Sequence, residues 1–380
     1  MEVLANRESR VDRPRDVAGQ IAPRLLAWFD RERRDLPWRR TNDPYRIWVA
    51  EIMLQQTQVA TVIPYYERFL KAFPTVRALA AAPIDEVLRL WAGLGYYSRA
   101  RNLHRAARQI VAEHGGRFPR TLEGIRSLPG VGDYTAGAIA SIAYGQRVAA
   151  VDGNAVRVLA RVYCVTGDVR AGTARRRLER LAWDAVPGKR PGDYNQALME
   201  LGSLVCRPID PACDRCCLAD LCEARRRGKQ QSIPAPRKRA RTQRVRVIAG
   251  LAQRKGRLLI AQRPAEGVWG GLWEFPNLRP ADGETDSGAL TRLFAEAFGL
   301  RVEVGEMLVS LTHGIMHKRI ELTAYVCEIV GGRTKATAHV AAKWVRPGEL
   351  AEYALPAPHR KVTASYPPAP LPSEGGNGGR

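Results

Sequence analysis

At 380 residues the chain is too long for one ordinary core and about right for two domains. Sixty Lys and Arg against 38 Asp and Glu leave a formal charge of +22, a field that concentrates polyanions, so DNA or RNA leads the candidate partners ahead of an arginine-rich composition without functional meaning. The scattered charges of Met1–Asp16 and the lack of any run near ~18 apolar residues argue against a signal peptide and a membrane span, and predict a soluble, cytoplasmic protein.

From about residue 18 to 205, apolar positions recur at three- and four-residue spacing, as in VAGQIAPRLLAWF, TLEGIRSL and AGAIASIAY, with glycine and proline at PWRR, GLGYY and LPGVG between them. That period predicts an all-helical first domain, bounded at residues 18–225. Within it, Leu128-Pro129-Gly130-Val131-Gly132-Asp133 separates two helical patterns, which predicts a helix, a glycine hairpin and a second helix with Asp133 as its N-cap. The amides of Gly130, Val131 and Gly132 can then approach a phosphate, a grip indifferent to base sequence; a plain turn is the alternative.

Five of the seven cysteines crowd between residues 206 and 222, which in a reducing compartment favours metal ligation over disulfides. The spacing Cys206-x6-Cys213-x2-Cys216-x5-Cys222 puts four thiolates in one loop, within reach of the corners of a cubane cluster. Zinc is the rival, although it generally uses two close pairs and only one is present. Cys217 fits the spacing less well, and Cys164 and Cys327 read as core thiols. Arg207, Arg215, Arg225, Arg226 and Arg227 interleave with the loop, so a group that fixes its fold would also present cations to a phosphate backbone.

Residues 226–246 carry a dense Arg and Lys run with two prolines, the composition of a linker. Beyond it, VRVIAGLAQ and RLLIAQRP predict strands joined by a Lys-Gly turn, followed by one helix, GALTRLFAEAFG, and further strands at LVSLTHG, IELTAYVCEIV and AAKWVRP. The second domain, residues 247–356, is expected to be α/β, and residues 357–380, rich in Pro, Gly and Ser, a disordered tail.

LPGVG, Val151-Asp152-Gly153-Asn154 and the cysteine loop together resemble the helix-hairpin-helix superfamily of DNA glycosylases. Leu36-Pro37-Trp38-Arg39, the run from Trp48 to Val59 and Gly93-Leu94-Gly95-Tyr96-Tyr97 resemble its MutY-type adenine DNA glycosylases, over nearly all of residues 30–225. The resemblance implies a mainly α catalytic region, a six-helix barrel plus an iron–sulfur cluster domain, followed by a smaller α/β Nudix-like domain. It implies a [4Fe-4S] cluster on Cys206, Cys213, Cys216 and Cys222, and a monomer that excises adenine opposite 8-oxoguanine or G in duplex DNA. Repair or clamp partners are left open.

Cleaving an N-glycosidic bond needs an acid for the departing base and an anion beside an oxocarbenium-like sugar. Glu51, among Trp48, Val49, Ile52, Met53 and Leu54, suits a protonated acid aimed at adenine N7, against the alternative of a solvated helical charge. Asp152, at a glycine-flanked helix start, is expected to be better solvated and ionised, against a plain N-cap. Tyr134 stands where the resemblance to endonuclease III would put a nucleophilic lysine, which implies hydrolysis without strand cleavage, with Tyr134 and Asn154 orienting Asp152 and water. Extruding a base leaves a gap to fill; Gln55, Gln56 and Tyr96 resemble the wedge, with Gln56 and Thr57 reaching the polar edge of the lesion, and Trp38, Arg34, Arg39 and Gln196 resemble the adenine pocket.

Residues 247–356, with Gly270-Gly271-Leu272-Trp273-Glu274-Phe275-Pro276, resemble the lesion-recognition domain of that family. The stretch Arg292–Leu300 lacks two of the three glutamates a Nudix box uses to bind metal, so pyrophosphate hydrolysis is not expected. Where the family carries Phe-Ser-His on a lesion-probing loop, this chain has Leu311-Thr312-His313; Thr312 keeps a hydroxyl donor, with an added methyl. Alternatives are a thymine or pyrimidine glycosylase on the same fold and a non-catalytic iron–sulfur DNA-binding protein.

Overall fold

The computed structural model describes residues 17–169, 172–235 and 242–366. The N-terminal segment, the middle of the expected linker and the tail beyond residue 366 lie outside the described residues. In chain order the helices are α1 (Val17–Glu32), α2 (Pro44–Leu54), α3 (Val59–Ala72), α4 (Val76–Ala81), α5 (Ile84–Trp91), α6 (Ser98–His114), α7 (Leu122–Arg126), α8 (Asp133–Tyr144), α9 (Gly153–Val162), α10 (Gly172–Ala185), α11 (Pro191–Leu204), α12 (Glu223–Arg226), α13 (Asp286–Phe298) and α14 (Ala357–Ser365). The strands are β1 (Gln243–Arg254), β2 (Arg257–Gln262), β3 (Trp273–Glu274), β4 (Asn277–Leu278), β5 (Leu300–Ile315), β6 (Lys318–Gly332) and β7 (Ala341–Val345). No described helix is long and apolar enough to cross a membrane.

By contact the chain forms two compact units, one of residues 17–55 with 112–235, the other of 56–111 with 242–366. The expected first domain is thus shared between them. Within the second unit, Arg101 of α6 donates to the Gly270 carbonyl and Gln262 Nε2 donates to Asp85 Oδ1 at 3.0 Å, which ties residues 56–111 to the sheet region.

In the first unit, α2 begins at Pro44 behind an Asp43 N-cap that accepts from the Tyr45 amide at 2.9 Å, and is buried on nearly every face. Trp48 is fully buried and meets Phe118 edge-on at 5.5 Å. A second core gathers Leu25 and Phe29 of α1, Leu159 of α9, Leu178 of α10 and Leu201 of α11, and the cysteine loop packs against it. Gly202 lets α11 approach α9 closely: a Cβ there would stand 2.6 Å from the Asn154 Cβ.

In the second unit the sheet runs β3-β2-β1-β6-β5, with β4 on β1 and β7 on β2; β1 and β6 are parallel and the other pairs antiparallel. Alternate residues face opposite layers: Ile248 and Ala252 pack with Phe294 and Phe298 of α13, Ala249 and Leu251 with Val362 of α14. The expected tail therefore begins with a buried helix, because Pro358, His359 and Val362 are covered by the sheet layer, and β1 starts inside the expected linker. Leu311, Thr312 and His313 lie within β5, paired with Leu322, Glu321 and Ile320 of β6, rather than on a loop. The turn comes later, at Met316 and His317, once the alternation of half-buried and exposed residues ends.

Candidate active site

Glu51 projects from α2 and is 6% exposed. Its Oε2 accepts the Tyr134 hydroxyl of α8 at 2.7 Å, and that hydroxyl also lies 3.3 Å from the Met199 sulfur. Burial pushes the Glu51 carboxyl up to about 7; the Tyr134 bond and the Arg39 charge pull the other way, while the charge of Asp152 adds to the rise. The Tyr134 phenol, raised well above its usual range by burial and the nearby carboxylates, remains a donor. The Tyr134 hydroxyl thus donates to Glu51, whereas it was expected beside Asp152, whose charge also acts on it.

Asp152 caps α9, accepting from the Ala155 amide at 2.7 Å and from Asn154 Nδ2 at 2.8 Å. Asp152 is half-buried where Glu51 is buried, yet burial still raises its carboxyl above the ordinary value, and the bonds from Ala155 and Asn154 with the Arg157 charge offset only part of the rise. Arg157 donates to Asn154 Oδ1, to the Gly202 carbonyl and to the Cys206 carbonyl, each at 2.7 Å. The buried Arg161 donates to Arg207 O at 2.7 Å, Ile233 O at 2.8 Å and the Cys206 sulfur at 3.3 Å. Neither arginine stands out in the sequence, although their i, i+4 spacing on α9 puts both on one face.

Arg34 and Arg39 converge on a residue that sequence reasoning missed, the buried Glu200 of α11. Burial would raise its carboxyl, but the bonds donated by the two arginines win and hold it down to about 2. Gln196, one turn earlier, accepts from Arg39 Nε at 3.2 Å, and the i, i+4 pairing of Gln196 with Glu200 was the available signal. Trp38 is buried in the short helical turn Pro37–Arg39.

The hairpin forms between α7 and α8, with Gly130 at φ 79° and the Val131 amide closing a turn on Leu128 O at 3.1 Å. Gly132, in extended conformation, is the N-cap of α8; Asp133 is the first helical residue and pairs with Arg126 at 2.9 Å, a correction to its expected capping role. In the same unit Gln55 donates to Thr135 Oγ1 at 3.3 Å. In the second unit, exposed Gln56 and Tyr96 hold left-handed backbones at φ 57° and 48°, a strained state for such residues. The buried Arg99 lies 5.5 Å from the Tyr96 ring centre and donates to Thr57 Oγ1 at 3.1 Å. On β5, Thr312 is exposed, and half-buried His313 packs 6.2 Å from Trp269.

Cys206, Cys213, Cys216 and Cys222 line one cavity with Val158, Arg161 and Leu218. Burial pushes the Cys216 thiol up to about 12. No three described His, Cys, Asp or Glu side chains converge as they would on a single metal ion.

Residues 49–184 match the family described as HhH-GPD superfamily base excision DNA repair protein, and residues 247–365 match the NUDIX domain. Adenine DNA glycosylase of Homo sapiens is 37% identical over 410 residues, covering 93% of this chain and 75% of that protein. Its namesake in Rattus norvegicus is 37% identical, covering 92% and 79%. A solved structure of a thermostable thymine-DNA glycosylase is 32% identical with a TM-score of 0.52, and covers 56% of this chain and 97% of its own. With a helical HhH-GPD region followed by a smaller sheet-containing Nudix-like domain, the chain belongs to the adenine DNA glycosylase family.

Proposed function

We propose that this chain hydrolyses the N-glycosidic bond of adenine placed opposite 8-oxoguanine or G in duplex DNA, extruding the adenine before cleavage. The observation that carries the reading is the pair of carboxylates with divided roles, Glu51 buried on a tyrosine and Asp152 held by an amide and an asparagine. With Tyr134 donating to Oε2, the acid proton of Glu51 belongs on Oε1, from which it passes to adenine N7. The C1′–N9 electrons leave with the base, and the Asp152 anion stabilises the sugar cation or transiently bonds to C1′. Water completes the sugar, and its proton restores Glu51. Tyr134 supplies no amine, so the product is an abasic site with the strand intact.

Arg34, Arg39, Trp38 and Gln196 line the approach for adenine, Gln55, Gln56, Thr57 and Tyr96 fill the gap it leaves, and Gly130–Gly132 grip a phosphate. Thr312 and His313 read the opposite base from β5. Cys206, Cys213, Cys216 and Cys222 line one cavity and carry the spacing of the family's cluster loop, and on that ground we assign them a [4Fe-4S] cluster. The four cysteine thiolates would bind the cluster's irons, and the cluster would thereby cross-link the loop and hold its arginines in shape.

The likeness to a thymine-DNA glycosylase supports a second reading, a pyrimidine glycosylase on the same fold. Single-turnover excision from 8-oxoguanine:A, G:A and G:T duplexes separates the two. Adenine excision is expected, to fall about a thousandfold in Glu51→Gln with duplex binding retained, and Thr312→Ala is expected to lose preference for the oxidised duplex. Excision of thymine alone, or full turnover by Glu51→Gln, would sink the adenine reading.

A further inference from the structure

Trp269, in the second unit, has a left-handed backbone with φ 58°, a conformation costly for so large a side chain and kept only where the surroundings fix it. The loop around it closes on itself. Gly270 N donates to Gly267 O at 3.3 Å, Gly271 N to Pro264 O at 2.9 Å and Leu272 N to Trp269 O at 3.1 Å. Gly270 is buried, and a Cβ there would stand 2.3 Å from the Ala265 carbonyl oxygen, so the chain closes this tightly only without a side chain at that position. Arg101 of α6 donates to the Gly270 carbonyl and fastens the loop from outside.

The indole held in this way meets two imidazoles. That of the buried His359, on α14, lies 6.3 Å away and edge-on at 86°, and its Nδ1 accepts the Phe275 amide at 3.2 Å, which fixes the ring. That of His313, on β5, lies 6.2 Å away and tilted by 43°. Along β5, Leu311, His313 and Ile315 are half-buried while Ser310, Thr312 and Gly314 are exposed, so His313 shares a face with Leu311 and Thr312 points to the other. Leu311, Ile315 and Trp269 pack against one core. Leu311 offers His313 no ring on that face, and Trp269 does. An imidazole that is only half-buried keeps freedom about its side-chain torsions unless a rigid neighbour removes it. We propose that Trp269 is a positioning residue that sets specificity for the base opposite adenine: its indole, anchored on His359, backs the His313 ring and presents it to that base in one orientation. This rests on the reading that His313 of β5 faces the opposite base.

The test is the ratio of single-turnover adenine excision rates from 8-oxoguanine:A and G:A duplexes. Trp269→Leu, which keeps an apolar side chain and loses the ring, should lower that ratio by about three- to tenfold, the range of one aromatic contact, with the smaller change in G:A excision. Trp269→Phe should restore most of the preference. In a His313→Ala background, Trp269→Leu should alter the ratio no further, because the two side chains act through one ring. Slowing of both duplexes by the same factor, or fully additive losses in the double variant, would show a merely structural role and overturn the proposal. If Trp269→Leu does not fold, Trp269→Met, nearer in volume, decides by the same ratio. Failure of the underlying reading looks different, because His313→Ala would then keep the full preference. Loss of preference in His313→Ala with none in Trp269→Leu would defeat the role of Trp269 alone.

Discussion

The proposed mechanism asks Glu51 and Asp152 to differ in protonation, and what surrounds each distinguishes them. Glu51 has one hydrogen-bond donor and an apolar helix around it, whereas Asp152 has an amide, an asparagine and a nearby arginine. The apolar company of Glu51 can be read along one helix from Trp48 to Leu54. The partial burial of Asp152 cannot, because it depends on what covers the start of α9. Holding Glu51 protonated has a consequence for stability. Its folded pKa, about 7, lies above the ordinary carboxyl value of 4.5, so its contribution is complete below about pH 4.5 and is lost as pH rises through 7. Glu51→Gln escapes that loss and should be more stable than the wild type by on the order of 3 kcal/mol near pH 8, with little difference near pH 4. Thermal unfolding at the two pH values checks this, and an equal difference at both would show that Glu51 does not titrate in this way.

At the scale of elements, α9 and α11 cross where Gly202 has no side chain, and the atoms it would strike belong to Asn154, which holds Asp152. Gly202→Ala should cost about 1–3 kcal/mol in chemical denaturation and slow excision more than it weakens duplex binding. A loss confined to stability would mean that Asn154 can yield without moving Asp152. The helical period between residues 18 and 205 was legible because one stripe of each helix must face a core. Finer details were not. The cap of α8 fell to Gly132 because the turn arrives there extended, and the strand through Thr312 depended on a partner in β6. Likewise α14 is short and starts at prolines, and the sheet layer it covers gives it its place.

Over the whole molecule, the charge of +22 and the cysteine loop were visible before any folding was considered. If the loop holds a cubane, purified protein should carry iron and sulfide in equal amounts, and Cys216→Ala should lose iron, melt at lower temperature and bind duplex DNA more weakly. Zinc-loaded protein with full binding and turnover would be incompatible with that assignment. Motifs of fixed spacing, LPGVG, the cysteine set and the apolar helix around Glu51, were readable in advance because the residue types they need are dictated by local backbone geometry and donor chemistry. The grouping of residues 56–111 with the sheet, the pairing of Glu200 with Arg39 and the arginines behind Asn154 were not. Those depend on side chains from distant parts of the chain, such as Arg39 and Glu200, whose pairing becomes favourable only once folding has buried the carboxylate and removed the water that would otherwise solvate it.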